Sequence, residues 1–160
     1  MIESTPAKKA LDELDLLILD LLQKESQLSN ADLARRVKLS PPATHARVKR
    51  LENEGFINRH VAILDQGMFG FTLICFIFLS TNLNQAEQLE EFEQEIKSMP
   101  EVLEFQCLTG EYDYMLKVAN RNKDELQKFI RKLNYFTFVG RIQTIVSIRE
   151  IKHTTILPIV

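Results

Sequence analysis

The chain has 160 residues, 45% of them hydrophobic, and a formal net charge of −2. That length allows one domain or two small ones, each with a core, and the near-neutral total excludes a general cationic coat for nucleic acid. The charge is uneven, however. Between positions 35 and 60, Arg35, Arg36, Lys38, Arg47, Lys49, Arg50 and Arg59 stand against only Glu52 and Glu54, whereas the stretch 87–95 is acidic.

Residues 1–10 are polar, without the apolar core of a secretory signal, and are expected to form a flexible tail. A first helix is predicted over 12–24, where Leu14, Leu17, Ile18, Leu21 and Leu22 recur at helical spacing. A second starts at Ser29, with Asp32 three residues on, near the capping-box pattern, and Leu33, Ala34 and Val37 on its apolar side. The turn Lys38-Leu39-Ser40 leads to a third helix. Ser40 can cap it, Pro41 suits its first position, and Gly55 suits the left-handed turn after it. Val48 and Leu51 can face a core, which turns Thr44, His45, Arg47 and Arg50 outward with Lys49 flanking.

Two helices, a tight turn and a short capped basic helix make a helix-turn-helix, and such a helix is what a DNA major groove accepts. A solvated basic helix face is the plain alternative for this stretch taken alone. The run 56–63 reads as a strand or short hairpin that would add a wing, so a winged helix-turn-helix domain is placed at 11–63.

A glycine-containing hinge follows at 64–70. Beyond it the elements alternate. Strands are predicted over 73–81, 102–108, 114–119 and 142–151, and helices over 85–99 and 123–134, the first of them stopped by Pro100. The order β-α-β-β-α-β is the ferredoxin-like split, so the whole is α+β, with a ferredoxin-like domain at 71–160. Two helices cover one sheet face. The other face carries apolar residues that need a cover, and a homodimer packed through sheets or edges is inferred.

Enzyme signatures are scarce. His45, His60 and His153 are scattered, and Glu90, Glu91, Glu93 and Glu95 read as a solvated helix face. Cys75 and Cys107 have no metal spacing and are expected to be buried reduced thiols. No catalytic residue, metal or cofactor is expected. The longest apolar run, 69–79, is too short to span a bilayer, so a cytoplasmic protein without membrane contact is expected.

Over roughly 11–157 the chain resembles the leucine- and asparagine-responsive regulators, the Lrp/AsnC or feast/famine family. The features that carry the resemblance are Leu11-Asp12 with Asp15, Ile18-Leu19 and Leu22; Ser29 with Leu33-Ala34 and Val37; Leu39-Ser40; Arg47-Val48-Lys49-Arg50-Leu51-Glu52 with Gly55 and Ile57; Gly110 with Tyr112-Asp113-Tyr114; and Thr144 with Glu150 and Lys152. The resemblance implies a regulator that binds double-stranded promoter DNA, senses a small amino acid such as leucine or methionine, and assembles beyond a dimer into tetramers or octamers. One departure is Thr137-Phe138-Val139, where many relatives carry Pro-Gly-Val near the effector cleft.

On DNA, Pro42, Ala43, Thr44, His45 and Arg47 are expected nearest the base edges, and Arg36, Lys49, Arg50 and Arg59 at phosphates, with Ser40 opening the helix. With the resemblance, Leu108, Gly110, Tyr112, Asp113 and Thr144 become the effector candidates. The Gly110 N–H would meet a carboxylate, Asp113 an ammonium, Tyr112 would wall the pocket, and Thr144 would add a hydroxyl. The plain alternative is a tight β-turn in which Asp113 satisfies backbone N–H groups. Two rival functions remain open at this point: an enzyme like the sirohaem decarboxylases, which share both domains, and a DNA-architectural protein that senses no amino acid.

Overall fold

The computed structural model describes residues 10–82 and 86–160. The tail expected over 1–10 lies outside the described residues apart from Ala10. The chain divides into two compact units: residues up to Ile63 together with Lys152–Val160, and Leu64–Ile151. By its contacts the final segment groups with the first unit. Its attachment is specific. The Gln23 side-chain amide donates to the Leu157 carbonyl at 2.8 Å and accepts from the Leu157 N–H at 2.9 Å.

The first unit holds helices α1 (Glu13–Lys24), α2 (Asn30–Val37) and α3 (Pro41–Asn53). Each has a side-chain N-cap. Asp12 and Asp15 form a reciprocal capping box on α1, Ser29 caps α2 and Ser40 caps α3. Lys38 closes α2 in the left-handed conformation at φ 56°, and Gly55 supplies φ 79° after α3. Ile18, Leu22, Leu33, Val37 and Leu51 form the core, with Leu14, Leu39, Val48, Phe56 and Ile57 packed around it. The wing expected at 56–63 is absent as a strand. This stretch has no regular secondary structure, is exposed beyond Ile57, and has no ladder partner among the described residues.

The second unit begins with a single 3-10 turn, Gly67–Phe69, in the stretch expected to be a hinge. It continues as β1 (Leu73–Thr81), α4 (Ala86–Ser98), β2 (Val102–Cys107), β3 (Tyr114–Asn120), α5 (Lys123–Asn134) and β4 (Val139–Val146). The four strands make one antiparallel sheet in the order β2-β3-β1-β4, the ferredoxin-like arrangement. β4 is shifted towards the N-terminus from the predicted 142–151. It pairs from Thr81↔Val139 to Cys75↔Val146, beyond which Ile148 and Ile151 stand exposed.

Alternate residues sort to two faces. Cys75, Ile77 and Leu79 of β1, with Leu116 and Val118 of β3, pack under Phe92, Ile96, Phe129 and Leu133 of the two helices. Phe92 sits at the centre of an aromatic cluster, with ring centroids 5.2 Å from Phe136, 5.3 Å from Phe138 and 5.5 Å from Tyr114. Phe138, half-buried, thus packs against the core. The opposite face carries Ile74, Phe76, Phe78 and Met115, all half-buried. Lys117 crosses that apolar face, 7% exposed, with its ammonium 3.3 Å from Glu104. Cys75 is buried, and burial pushes its thiol pKa up; Cys107, at the end of edge strand β2, is exposed, contrary to the expected buried pair. No described helix is long and apolar enough to cross a membrane.

Candidate DNA interface and effector loop

α3 presents the expected basic helix, but its side chains divide differently. Pro42, Ala43, His45 and Lys49 are exposed, and Lys49 makes no ion pair among the described residues. Ser40 spends its hydroxyl on the Ala43 N–H at 3.4 Å. Thr44 does not face outward. It is 0% exposed, and its hydroxyl donates to the Ser40 carbonyl at 3.1 Å. It lies one turn before Val48 and two before Leu51, so it shares their inward face, and it cannot reach a base edge while α3 is packed.

The arginines are committed more than the sequence suggests. Arg47 Nη1 lies 2.7 Å from Asp12 and 2.8 Å from Asp15, and Arg50 Nη2 bonds the other Asp15 oxygen. Arg36 is held in a two-pronged pair with Glu25, at 2.6 and 2.8 Å. The hydrogen bonds to Asp12 and Asp15 hold the Arg47 guanidinium more firmly protonated than usual, and that to Glu25 does the same for Arg36. Arg59 remains exposed, with no ion pair among the described residues.

Asp15 was not singled out as a site residue, yet it anchors this cluster. It is 1% exposed, and burial by itself would raise its pKa. Hydrogen bonds from Arg50, the Asp12 backbone and Arg47 more than offset that and hold the carboxyl below its ordinary value. The signal in the sequence was a carboxylate at a core position: Leu11, Asp15, Ile18 and Leu22 follow the spacing of one inward helix face.

In the second unit the expected effector residues Leu108, Gly110, Tyr112 and Asp113 share the β2–β3 connection. Gly110 has φ +128°, which favours glycine, and the space a Cβ would occupy there is open. The Leu108 N–H bonds the Asp113 carbonyl at 2.8 Å, closing the loop. Asp113 extends the ladder past its last β1–β3 pair. Its N–H donates to the Leu79 carbonyl at 2.8 Å, and its Oδ2 accepts from the Thr81 N–H at 2.6 Å and the Thr81 hydroxyl at 3.1 Å. The plain turn role of Asp113 is therefore present, and its other oxygen makes no hydrogen bond among the described residues.

Tyr112 stacks at a tilt on Phe78, with centroids 5.6 Å apart, and its hydroxyl bonds the Gln143 side chain. The Arg141 guanidinium lies 5.2 Å from the Tyr112 ring centre and pairs with Glu111. Phe78, Gln143 and Arg141 thus join the loop, and only strand register, invisible before pairing is known, could have found them. Thr144 does not join them within the chain. It pairs with Ile77, a helix-facing residue, whereas Gln143 beside it pairs with Phe78 on the open face.

A capped three-helix head with an outward polar and cationic helix face, joined to a βαββαβ unit with an open glycine loop, describes a DNA-binding regulator with a ligand-binding domain. Comparison with known proteins agrees. Residues 11–58 match a winged helix-turn-helix DNA-binding domain, and residues 74–157 match the Lrp/AsnC ligand binding domain. The chain is 33% identical over 151 residues to the glutamate uptake regulatory protein of Zymomonas mobilis, covering 94% of this chain and 92% of that one. It is 34% identical over 150 residues to the transcriptional activator DecR of Escherichia coli, covering 93% and 99%. A transcriptional regulator of Neisseria meningitidis, solved in complex with L-methionine, superimposes with a TM-score of 0.88 at 34% identity, covering 93% of this chain and 97% of that one. The chain belongs to the Lrp/AsnC family of DNA-binding transcriptional regulators.

Proposed function

We propose that the protein binds promoter DNA sequence-specifically through α3, takes a small apolar amino acid in the second unit, with leucine and methionine the first candidates, and acts in the cytoplasm as a homodimer or larger homo-oligomer. The observation that carries the effector reading is the Leu108–Asp113 connection. Gly110 leaves backbone open for a ligand carboxylate, one Asp113 oxygen is available for an ammonium, and Tyr112 stands beside them. The methionine held by the meningococcal neighbour supports that ligand class. The apolar open sheet face supports self-association, whereas Thr144, on the helix-facing side, is not carried to the loop by a contact through that face. Effector binding at such an interface would shift DNA affinity by about 1–3 kcal/mol. The relatives are regulators, which supports a non-enzymatic protein over a sirohaem-decarboxylase-like one.

One observation favours a second reading, a DNA-architectural regulator without sensing: Phe138 fills the variant loop and packs against Phe92. Calorimetric titration of the full-length protein with leucine, methionine, asparagine and glutamate separates the two. Saturable binding of an apolar amino acid, lost in an Asp113→Asn variant that still unfolds cooperatively with only the small loss of stability expected from the weakened Thr81 bond, is expected for a sensor. No binding of any amino acid would leave the architectural reading.

A further inference from the structure

Asp15 lies on α1, outside the candidate DNA surface, yet both arginines at the centre of α3 terminate on it. Its two oxygens take three donors: Oδ1 from Arg47, and Oδ2 from Arg50 and from the Asp12 N–H at 3.1 Å. We infer that Asp15 positions the recognition helix, that Arg47 and Arg50 serve this anchorage rather than DNA, and that sequence is read by the stripe Pro42, His45, Ala46 and Lys49. The inference rests on the reading that α3 enters the major groove.

Helix geometry gives the stripe. Residues advance by about 100° around an α-helix. Thr44 and Leu51 are buried and Arg47 and Val48 half-buried, which fixes the inward side of α3. Pro42, Ala46 and Lys49 then lie within roughly 30° of the opposite direction, and His45 flanks them on the N-terminal half. Asn53 falls on the same line, but at the last residue of the helix, whereas groove contacts come from the N-terminal part. Arg47 points the other way, towards α1.

The electrostatics hold the arginines where they are. Moving Arg47 to a guanine would break its bonds to both Asp12 and Asp15, and would withdraw a partner from a carboxylate that is 1% exposed. A buried charge left short of partners is costly, so the exchange opposes itself. Lys49 has no such commitment among the described residues. The anchor also fixes orientation. Arg47 and Arg50 are one turn apart on α3 and grip one carboxylate, which sets the rotation of α3 about its own axis.

The test uses full-length protein, a randomised duplex pool for site selection, and the salt dependence of affinity on the selected site. Each cation that meets DNA phosphate adds about 0.9 to the slope of log affinity against log salt. Arg47→Met keeps the stem and removes the guanidinium; Lys49→Ala removes a stripe cation; Asp15→Asn removes the anchoring charge. Melting temperatures confirm that each variant is folded. Arg47→Met is expected to keep the wild-type slope and selected sequence. Lys49→Ala is expected to lower the slope by about one, and Ala46→Gln to change the selected sequence. Asp15→Asn is expected to lower the preference for the selected site over random DNA by about tenfold, the size of one lost base contact, without lowering the slope. A slope reduced by about one in Arg47→Met, with altered sequence choice, would overturn the assignment. Unchanged slope and sequence in Lys49→Ala and Ala46→Gln alike would sink the α3 reading itself, and the inference with it.

Discussion

Asp113 sits where a structural and a ligand-binding role overlap, and two substitutions separate them. Its Oδ2 takes the half-buried Thr81 N–H at 2.6 Å, just past the last β1–β3 pair, and also the Thr81 hydroxyl at 3.1 Å. Asp113→Ala leaves that N–H without a partner. A hydrogen bond to a charged acceptor contributes about 1.5–3 kcal/mol, whereas the hydroxyl can turn to water and loses little. The expected cost is about 2 kcal/mol. For a unit the size of Leu64–Ile151, that is a fall in melting temperature of roughly 8–15 °C at about 4–8 °C per kcal/mol. Asp113→Asn keeps an acceptor for Thr81 but loses the charge, and a neutral bond is about half as strong, so about 1 kcal/mol is expected. Scanning calorimetry of the full-length variants resolves the transition of this unit. A melting temperature for Asp113→Ala within a degree or two of wild type would refute the claim that this carboxylate ties the loop to β1.

Three other outcomes follow from the same packing. Phe138→Gly removes a ring that meets Phe92 edge-to-face and Phe136 at a tilt; since Phe138 is half-buried, the cost is expected near the lower end of the large-to-small range, about 3 kcal/mol by urea unfolding. Asp15 has a folded pKa below its ordinary value, so its contribution is full above the unfolded pKa of about 4 and is lost as pH falls below that through the folded value. The urea midpoint of wild type should therefore fall more steeply with acid below about pH 4 than that of Asp15→Asn, and identical profiles would contradict the anchor. Cys107 should react with a thiol reagent in the native protein, while Cys75 should react only on unfolding, as counted by mass spectrometry over time.

Local chemistry made much of this fold legible. The caps at Ser29 and Ser40, Pro41, and Gly55 with its φ of 79° bracket α2 and α3 where the sequence places them, and apolar spacing locates β1 and α5 to the residue. What was missed depends on distant partners. Arg47 and Arg50 read as outward cations because the carboxylate they meet lies 32 and 35 positions away. Thr44 reads as polar and therefore exposed, but a hydroxyl that bonds the carbonyl four residues back can be buried on a helix. Phe56 and Ile57 suggest a wing strand, yet they pack on the three-helix core and leave the rest of that run without a ladder. Ile148 and Ile151 are β-branched and read as strand, but the ladder to β1 ends at Val146, with one further bond from the Ser147 N–H to the Ile74 carbonyl, and both isoleucines are exposed. In the candidate effector loop, sequence picks out Gly110, Tyr112 and Asp113, whereas the separation of Thr144 from Gln143 onto opposite faces follows from register alone.

The central claim is that one chain couples amino-acid binding to promoter recognition. Its most direct test is a mobility shift of the purified full-length protein on the DNA upstream of its own coding region, at physiological salt with random competitor, with and without leucine or methionine. A retarded complex that survives competitor, and whose apparent affinity changes about fivefold or more with one of the two amino acids, is the predicted result, equivalent to about 1 kcal/mol of coupling. A specific complex indifferent to both, together with no calorimetric binding of either, would contradict it.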